Sequence, residues 1–239
     1  MTTDIVFLFD VDNTLLDNDQ IVTDLRRHLE CEFGVTSANR YWSIFEELRS
    51  ELGYADYLGA LQRYRSDTEI GEEPDAQRLL LMSKFLIDYP FPERLYPGAL
   101  DVVAHLGRHG PTVILSDGDV VFQPRKVQGS GLWDAVEGRV LIYVHKERML
   151  DLVQRYYPAR HYVMVDDKLR ILAAMKEAWQ ARLTTVFPRQ GHYAFDPANI
   201  ARYPAADVTV ENVGDLTAIS IERLLGGPIG PGPAIKEKQ

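Results

Sequence analysis

The sequence predicts an α/β protein: a three-layer core around a mainly parallel sheet, interrupted by an inserted helical domain. Three observations carry this reading. Short apolar runs at residues 5–9, 112–115, 140–144, 162–165 and 183–187 alternate with helical patterns, as strands buried on both faces of a parallel sheet do. Four of those runs end in polar residues: Asp10 and Asp12, Ser116, Lys146, and Asp166 with Asp167. Between residues 17 and 92 the β-like runs disappear and helical periodicity takes over. The core is therefore expected to be Rossmann-like and to comprise residues 1–16 and 93–225, with a helical cap at 17–92. The Gly-, Pro- and Lys-rich tail, 226–239, is expected to be disordered.

The first strand runs from Ile5 to Phe9 and meets Asp10 at its end. An unpaired carboxylate in an apolar interior costs several kcal/mol, so Asp10 and Asp12 belong where the strand reaches solvent or a cation. That place is the carboxyl end, where open α/β sheets gather their ligands. Four helices follow. The first carries Ile21, Leu25, His28 and Leu29 and stops near Gly34; the second starts at a cap-like Ser37 and runs through Tyr41, Ile44, Phe45 and Leu48 to Gly53. The third holds Tyr57, Leu58, Leu61 and Tyr64. The fourth follows Pro74, carries Leu79, Leu80, Met82, Phe85 and Leu86, and is stopped by the prolines at 90 and 92.

Past Pro97-Gly98 the alternation starts. A helix over 99–108 precedes the strand ending at Ser116-Asp117-Gly118, and a helix over 120–128 follows it. The strand 140–144 ends in His145-Lys146 and leads into a helix reaching Tyr157. The strand 162–165 ends in Asp166-Asp167-Lys168 and is followed by a helix over 169–180. A strand at 183–187, a loop through Pro188 and Gly191, a strand at 208–210 and a helix over 215–225 complete the pattern. Right-handed crossovers make these strands parallel, so their polar ends converge on one edge although more than 150 positions separate them.

Composition narrows the partners. A net charge of −9 disfavours a phosphate backbone, so no nucleic-acid polymer is expected. Cys31 is the only cysteine, which excludes an intramolecular disulfide or a thiolate metal cluster and suits a reducing cytoplasm. The N-terminus lacks a basic start, and no apolar segment has the length of a membrane span. A soluble, cytoplasmic protein is expected, with monomer and homodimer both open.

Several carboxylates around one point repel one another unless a hard cation neutralises them, and Mg²⁺ takes carboxylates together with phosphate oxygens and water. With metal in place, one Asp can attack phosphorus while the second, two residues on, moves a proton. Ser116 and the backbone N–H groups opening its helix suit a phosphate oxygen, and Lys146 supplies a fixed positive charge. His145 competes with Lys146 for that role.

These motifs resemble those of the haloacid dehalogenase (HAD) superfamily in its phosphatase branch. Asp10-Val11-Asp12-Asn13-Thr14 matches the first motif, Ser116 the second, Lys146 the third and Asp166-Asp167 the fourth, in order over nearly the whole chain. The resemblance implies that Asp10 is the nucleophile and Asp12 the general acid/base, whose backbone carbonyl also binds Mg²⁺. It further implies that Asp167 is the main remaining metal ligand, assisted by Asp166. Ser116, Asp117 and Lys146 would bind substrate phosphate, and the helical insert is similar to the family's type 1 cap. The expected activity is Mg²⁺-dependent hydrolysis of a small phosphorylated metabolite through an aspartyl phosphate. A phosphomutase and a catalytically silent binding module are the alternatives. Two positions depart from many relatives: Asp117 in place of Asn and Glu147 in place of Pro. Family members that cleave carbon–halogen bonds lack an acid at the position of Asp12, so its presence favours phosphoryl transfer. The aromatic residues Tyr41, Trp42, Phe45, Tyr54, Tyr57 and Tyr64 are expected in the cap core and Arg40, Arg63 and Arg65 in solvent; Arg189 and His192 are rim candidates.

Overall fold

A computed structural model describes residues 3–67 and 76–226. Six strands form one sheet in the order β3-β2-β1-β4-β5-β6, all parallel. They are β1 (Thr3–Phe9), β2 (Thr112–Asp117), β3 (Val140–Tyr143), β4 (Ala159–Val165), β5 (Leu183–Pro188) and β6 (Val208–Val210). The central strand β1 sends Ile5, Phe7 and Phe9 into one core layer and Val6 and Leu8 into the other, all buried. That two-sided burial explains its unbroken apolar run. The edge strand β3 is only half-buried along its length.

After β1 the chain builds two strands on one side, then crosses to place β4 on the other, so the order reverses beside β1. Such a reversal opens a crevice at the carboxyl ends. The inserted helices, α1 (Asn18–Phe33), α2 (Val35–Leu52), α3 (Tyr57–Arg65) and α4 (Ala76–Ile87), cover that edge. Their stripe of Leu25, Tyr41, Phe45, Ala60, Tyr64 and Met82 is buried. The outgoing and returning segments of the insert pair with each other: Leu16 bridges Leu95 antiparallel, Asp17 N donates to the Arg94 carbonyl and Tyr96 N to the Leu15 carbonyl. Asp24 of α1 pairs with Arg94 at 2.9 Å and accepts from the Tyr89 hydroxyl, tying the base of the insert to the core.

The remaining helices are α5 (Ala99–Gly107), α6 (Phe122–Gly129), α7 (Leu132–Ala135), α8 (Leu150–Tyr156), α9 (Leu169–Trp179), α10 (Gly191–Phe195), α11 (Pro197–Arg202) and α12 (Ile221–Leu224). Several expectations need correction. Helix α2 starts at Val35 behind Gly34, so Ser37 lies inside it; Gly34 follows α1 with φ +80 and lets α2 begin at once. Leu80 is 71% exposed and belongs to the outer face of α4. The expected loop after β5 holds α10 and α11, two helices too short to show a period. The expected 215–225 helix is instead a 3-10 segment, Val213–Ala218, followed by α12. Pro74 and the 227–239 part of the tail lie outside the described residues.

Candidate active site

The strand ends converge. Asp10 follows β1, and its N–H extends the ladder by donating to the Val165 carbonyl of β4. Asp10 Oδ1 accepts from Ser116 Oγ at 3.2 Å and from Lys146 Nζ at 2.5 Å. Lys146 Nζ also lies 2.7 Å from Asp166 Oδ2, so one fully buried ammonium joins the ends of three strands. Burial alone would raise the Asp10 pKa, but the Lys146 and Lys168 charges outweigh it and hold Asp10 below the usual carboxylate range. Lys146 shows the same balance in reverse: burial disfavours its charge, and Asp10, Asp166 and Asp117 raise its pKa regardless.

The paired acids after β4 differ. Asp166 has Lys146 beside it and accepts from the Lys168 N–H at 2.8 Å. Burial nonetheless pushes its pKa up to about 6. Asp167 is fully buried, neither of its carboxylate oxygens has a hydrogen-bond partner among the described residues, and burial drives its pKa well above the ordinary value. Its backbone N–H donates to Thr14 Oγ1, which fixes the turn against the β1 loop. Asp10, Asp166 and Asp167 each offer a carboxylate oxygen, and these atoms lie within 4.8 Å of one another. Two orphaned buried oxygens inside a carboxylate trio suit a divalent cation, which would satisfy what no protein donor reaches.

Asp12 stands apart from that trio. Its side chain is 25% exposed, lines a cavity between core and insert, and accepts from Lys126 Nζ at 2.7 Å. The Asp117 side chain accepts the Lys146 backbone N–H at 2.8 Å, and burial raises its pKa. Two of the N–H groups expected to meet a phosphate oxygen at the start of the helix after Ser116 are already taken within the protein. Helix α6 starts at Phe122, and Asp119 Oδ1 accepts from the Val121 and Phe122 N–H groups. His145 faces the cavity near Gly53, so Lys146 rather than His145 reaches the acids.

The cavity has a volume of about 640 Å³. The insert contributes Trp42, Phe45, Tyr57, Arg26 and Arg49, and the core contributes Lys168 and His192. Trp42, Phe45 and Tyr57 are thus core residues whose edges also wall the cavity. Arg40 pairs with Asp67, and Arg63 with Glu51. His192 lies on the cavity rim, where its ring pairs with Asp19 at 2.7 Å and its backbone N–H donates to the same carboxylate. Arg189 is turned away toward Glu211. Sequence reasoning missed Lys126, Gln123 and Lys168. Lys168 was visible as the residue after the paired acids; Lys126 and Gln123 sit on an amphipathic helix that reads as ordinary.

A parallel α/β core with a helical insert closing over buried aspartates at the carboxyl edge defines a capped hydrolase of the carboxylate-cluster class. The family model for haloacid dehalogenase-like hydrolases matches residues 6–178. The chain belongs to that family. Among solved structures, it is 70% identical to a protein of Burkholderia xenovorans LB400 assigned to the haloacid dehalogenase-like hydrolases. That match covers 93% of this chain and 99% of the other with a TM-score of 0.86. The L-2-haloacid dehalogenase of Xanthobacter autotrophicus is 19% identical over 91% of this chain and 98% of its own, TM-score 0.59. A magnesium-bound hydrolase of the same family from Bacillus subtilis is 18% identical with the same coverages and TM-score. These two show the fold alone. No curated protein matches the sequence. No helix among the described residues is long and apolar enough to cross a membrane.

Proposed function

We propose that this protein is a Mg²⁺-dependent phosphatase that hydrolyses a small phosphomonoester through an aspartyl phosphate on Asp10. The observation that carries the reading is Asp12, a partly exposed carboxylate two residues after a buried, ionised Asp10, facing the cavity that would hold the leaving group. A halide departs without a proton, whereas an alkoxide needs one, and only the second reaction has work for Asp12. Asp10, Asp167 and the Asp12 carbonyl would hold Mg²⁺, with Asp166 assisting. The bound ion would supply charge neutralisation for the phosphoryl group.

The residues of the chain divide the rest. An Asp10 carboxylate oxygen attacks phosphorus, the bond to the ester oxygen breaks, and Asp12 delivers a proton to that oxygen. Asp12 then removes a proton from water, whose oxygen bonds to phosphorus as the Asp10–phosphorus bond breaks and phosphate leaves. Lys146 holds Asp10 and compensates the negative charge on the transferring oxygens, and the Ser116 hydroxyl donates to a phosphate oxygen. The Asp117 side chain anchors Lys146, leaving its main chain for the phosphate rim.

The test is a phosphoester panel with Mg²⁺, run on wild type beside Asp10→Asn. Phosphate release by wild type and its loss in a folded Asp10→Asn variant are expected. Halide release from 2-haloacids without phosphatase activity, or full Mg²⁺-dependent turnover in Asp10→Asn, would overturn the proposal. Isomerised sugar phosphate in place of free phosphate would indicate a mutase.

A further inference from the structure

Helix α6 carries a lysine in an unusual setting. Lys126 is 1% exposed, yet its ammonium lies 2.7 Å from Asp12 Oδ1 and 3.0 Å from Asn18 Oδ1 and sits over the Phe122 ring at 5.5 Å. Burying an ammonium costs several kcal/mol unless acceptors compensate it, so a lysine is retained here only with both oxygens in place. One turn earlier on the same helix, the buried Gln123 donates through Nε2 to Ser116 Oγ at 3.0 Å. Positions 123 and 126 share a helix face, so α6 holds both Ser116 and Asp12 from one wall of the cavity.

The second acceptor extends the contact. Asn18 is the first residue of α1, where the chain leaves the core, and its N–H donates to Asn13 Oδ1 at 3.0 Å. The ring of Tyr57 of α3, which also lines the cavity, packs on Phe122 at 5.3 Å. The Lys126 ammonium therefore joins the carboxylate of Asp12 to the root of the cap at Asn18, while the cap's Tyr57 packs on the Phe122 ring over which that ammonium sits.

We propose that Lys126 is the positioning residue for Asp12: with Asn18 it fixes the proton-carrying carboxylate toward the leaving-group oxygen and links that orientation to the seated cap. The inference rests on the phosphatase reading. Lys126 acts through Asp12: among the described residues its ammonium pairs with Asp12 and not with Asp10, Asp166 or Asp167. Its removal frees Asp12 to rotate, and the loss falls on the step that needs a proton.

Substituted phenyl phosphates of similar size but graded leaving-group acidity read this directly. Their kcat/KM covers the reaction only through release of the phenol, and the ratio between substrates is independent of the fraction of protein that is folded. In Lys126→Met, unsubstituted phenyl phosphate should lose about 10–100-fold relative to wild type, while p-nitrophenyl phosphate, which departs without a proton, changes by less than about three-fold. Asp12→Asn should show the same selective loss, and the double variant Asp12→Asn/Lys126→Met should add nothing to it. Asn18→Ala, which leaves the Lys126–Asp12 pair intact, should shift the ratio in the same direction by less, and serves if Lys126→Met does not fold. A uniform loss on both esters, an unchanged ratio in Asn18→Ala and Lys126→Met, or losses that multiply in the double variant would overturn the positioning role. Wild-type protein that releases phosphate from none of these esters would instead overturn the phosphatase reading.

Discussion

Replacing Lys146 with methionine removes the only ammonium found within 3 Å of both Asp10 and Asp166 among the described residues, and it leaves the shape of the side chain nearly unchanged. Because Lys146 is fully buried and Met is close in length, little cavity forms, and the effect isolates charge. Asp10 is 2% exposed and Asp166 fully buried, so water cannot take over the lost contacts. Removing one partner of a buried ion pair costs about 3–5 kcal/mol, chiefly because the other partner stays buried and unpaired. Near Tm, each kcal/mol corresponds to about 2–4 °C for a chain of this size, so Lys146→Met should melt roughly 6–20 °C below wild type in EDTA. Added Mg²⁺ should narrow that gap, since it brings positive charge to the same acids, without restoring turnover. Thermal and urea unfolding with and without Mg²⁺ measure this. A deficit under about 1 kcal/mol in EDTA would refute the claim that Lys146 compensates this cluster.

Other perturbations probe separate parts of the account. Asp167→Asn should be no less stable than wild type in EDTA, because the Asp167 oxygens have no partner among the described residues, while thermal stabilisation by Mg²⁺ should vanish; a preserved Mg²⁺ shift would contradict the ligand assignment. Gly191 has φ +67, and a Cβ there would lie 2.4 Å from Asn13 Cβ. Gly191→Ala should thus cost about 2–4 kcal/mol, measured by urea unfolding, and lower kcat by shifting the loop after Asp10. Burial alone would raise the Asp24 pKa, but hydrogen bonds from Tyr89 and Arg94 lower it overall, so its stabilisation is present above the unfolded pKa and fades as pH falls through the folded one. Asp24→Asn should therefore cost about 1 kcal/mol at neutral pH, after screening, and the deficit should close below about pH 4 in calorimetry.

The legible parts of the sequence were those where burial and chemistry conflict. An apolar strand ending in Asp10, or one ending in Asp166-Asp167, announces itself because carboxylates are costly where strands are buried. Parallel topology then places those ends together, and the geometry agrees for Asp10, Ser116, Lys146, Asp166 and Asp167. Lys126 was hidden for the opposite reason: a lysine on an amphipathic helix looks solvated, and only its neighbours Asp12 and Asn18, over 100 residues away in the chain, make its burial favourable. The same limit applies to α10 and α11, where a few residues span less than two helical turns, and to the 215–225 stretch, which tertiary packing breaks into two short pieces. The cavity wall was obscured because Trp42, Phe45 and Tyr57 serve the cap core and the pocket at once.

The central claim is covalent catalysis by Asp10, and the most direct measurement is acid quench during turnover of the best ester with Mg²⁺, followed by peptide mass spectrometry. The account predicts a phosphoryl group on the peptide carrying Asp10 that accumulates during turnover and is absent from Asp10→Asn. Steady phosphate release with no phosphorylated Asp10 peptide at any quench time, or a phosphoryl group on another residue, would contradict it.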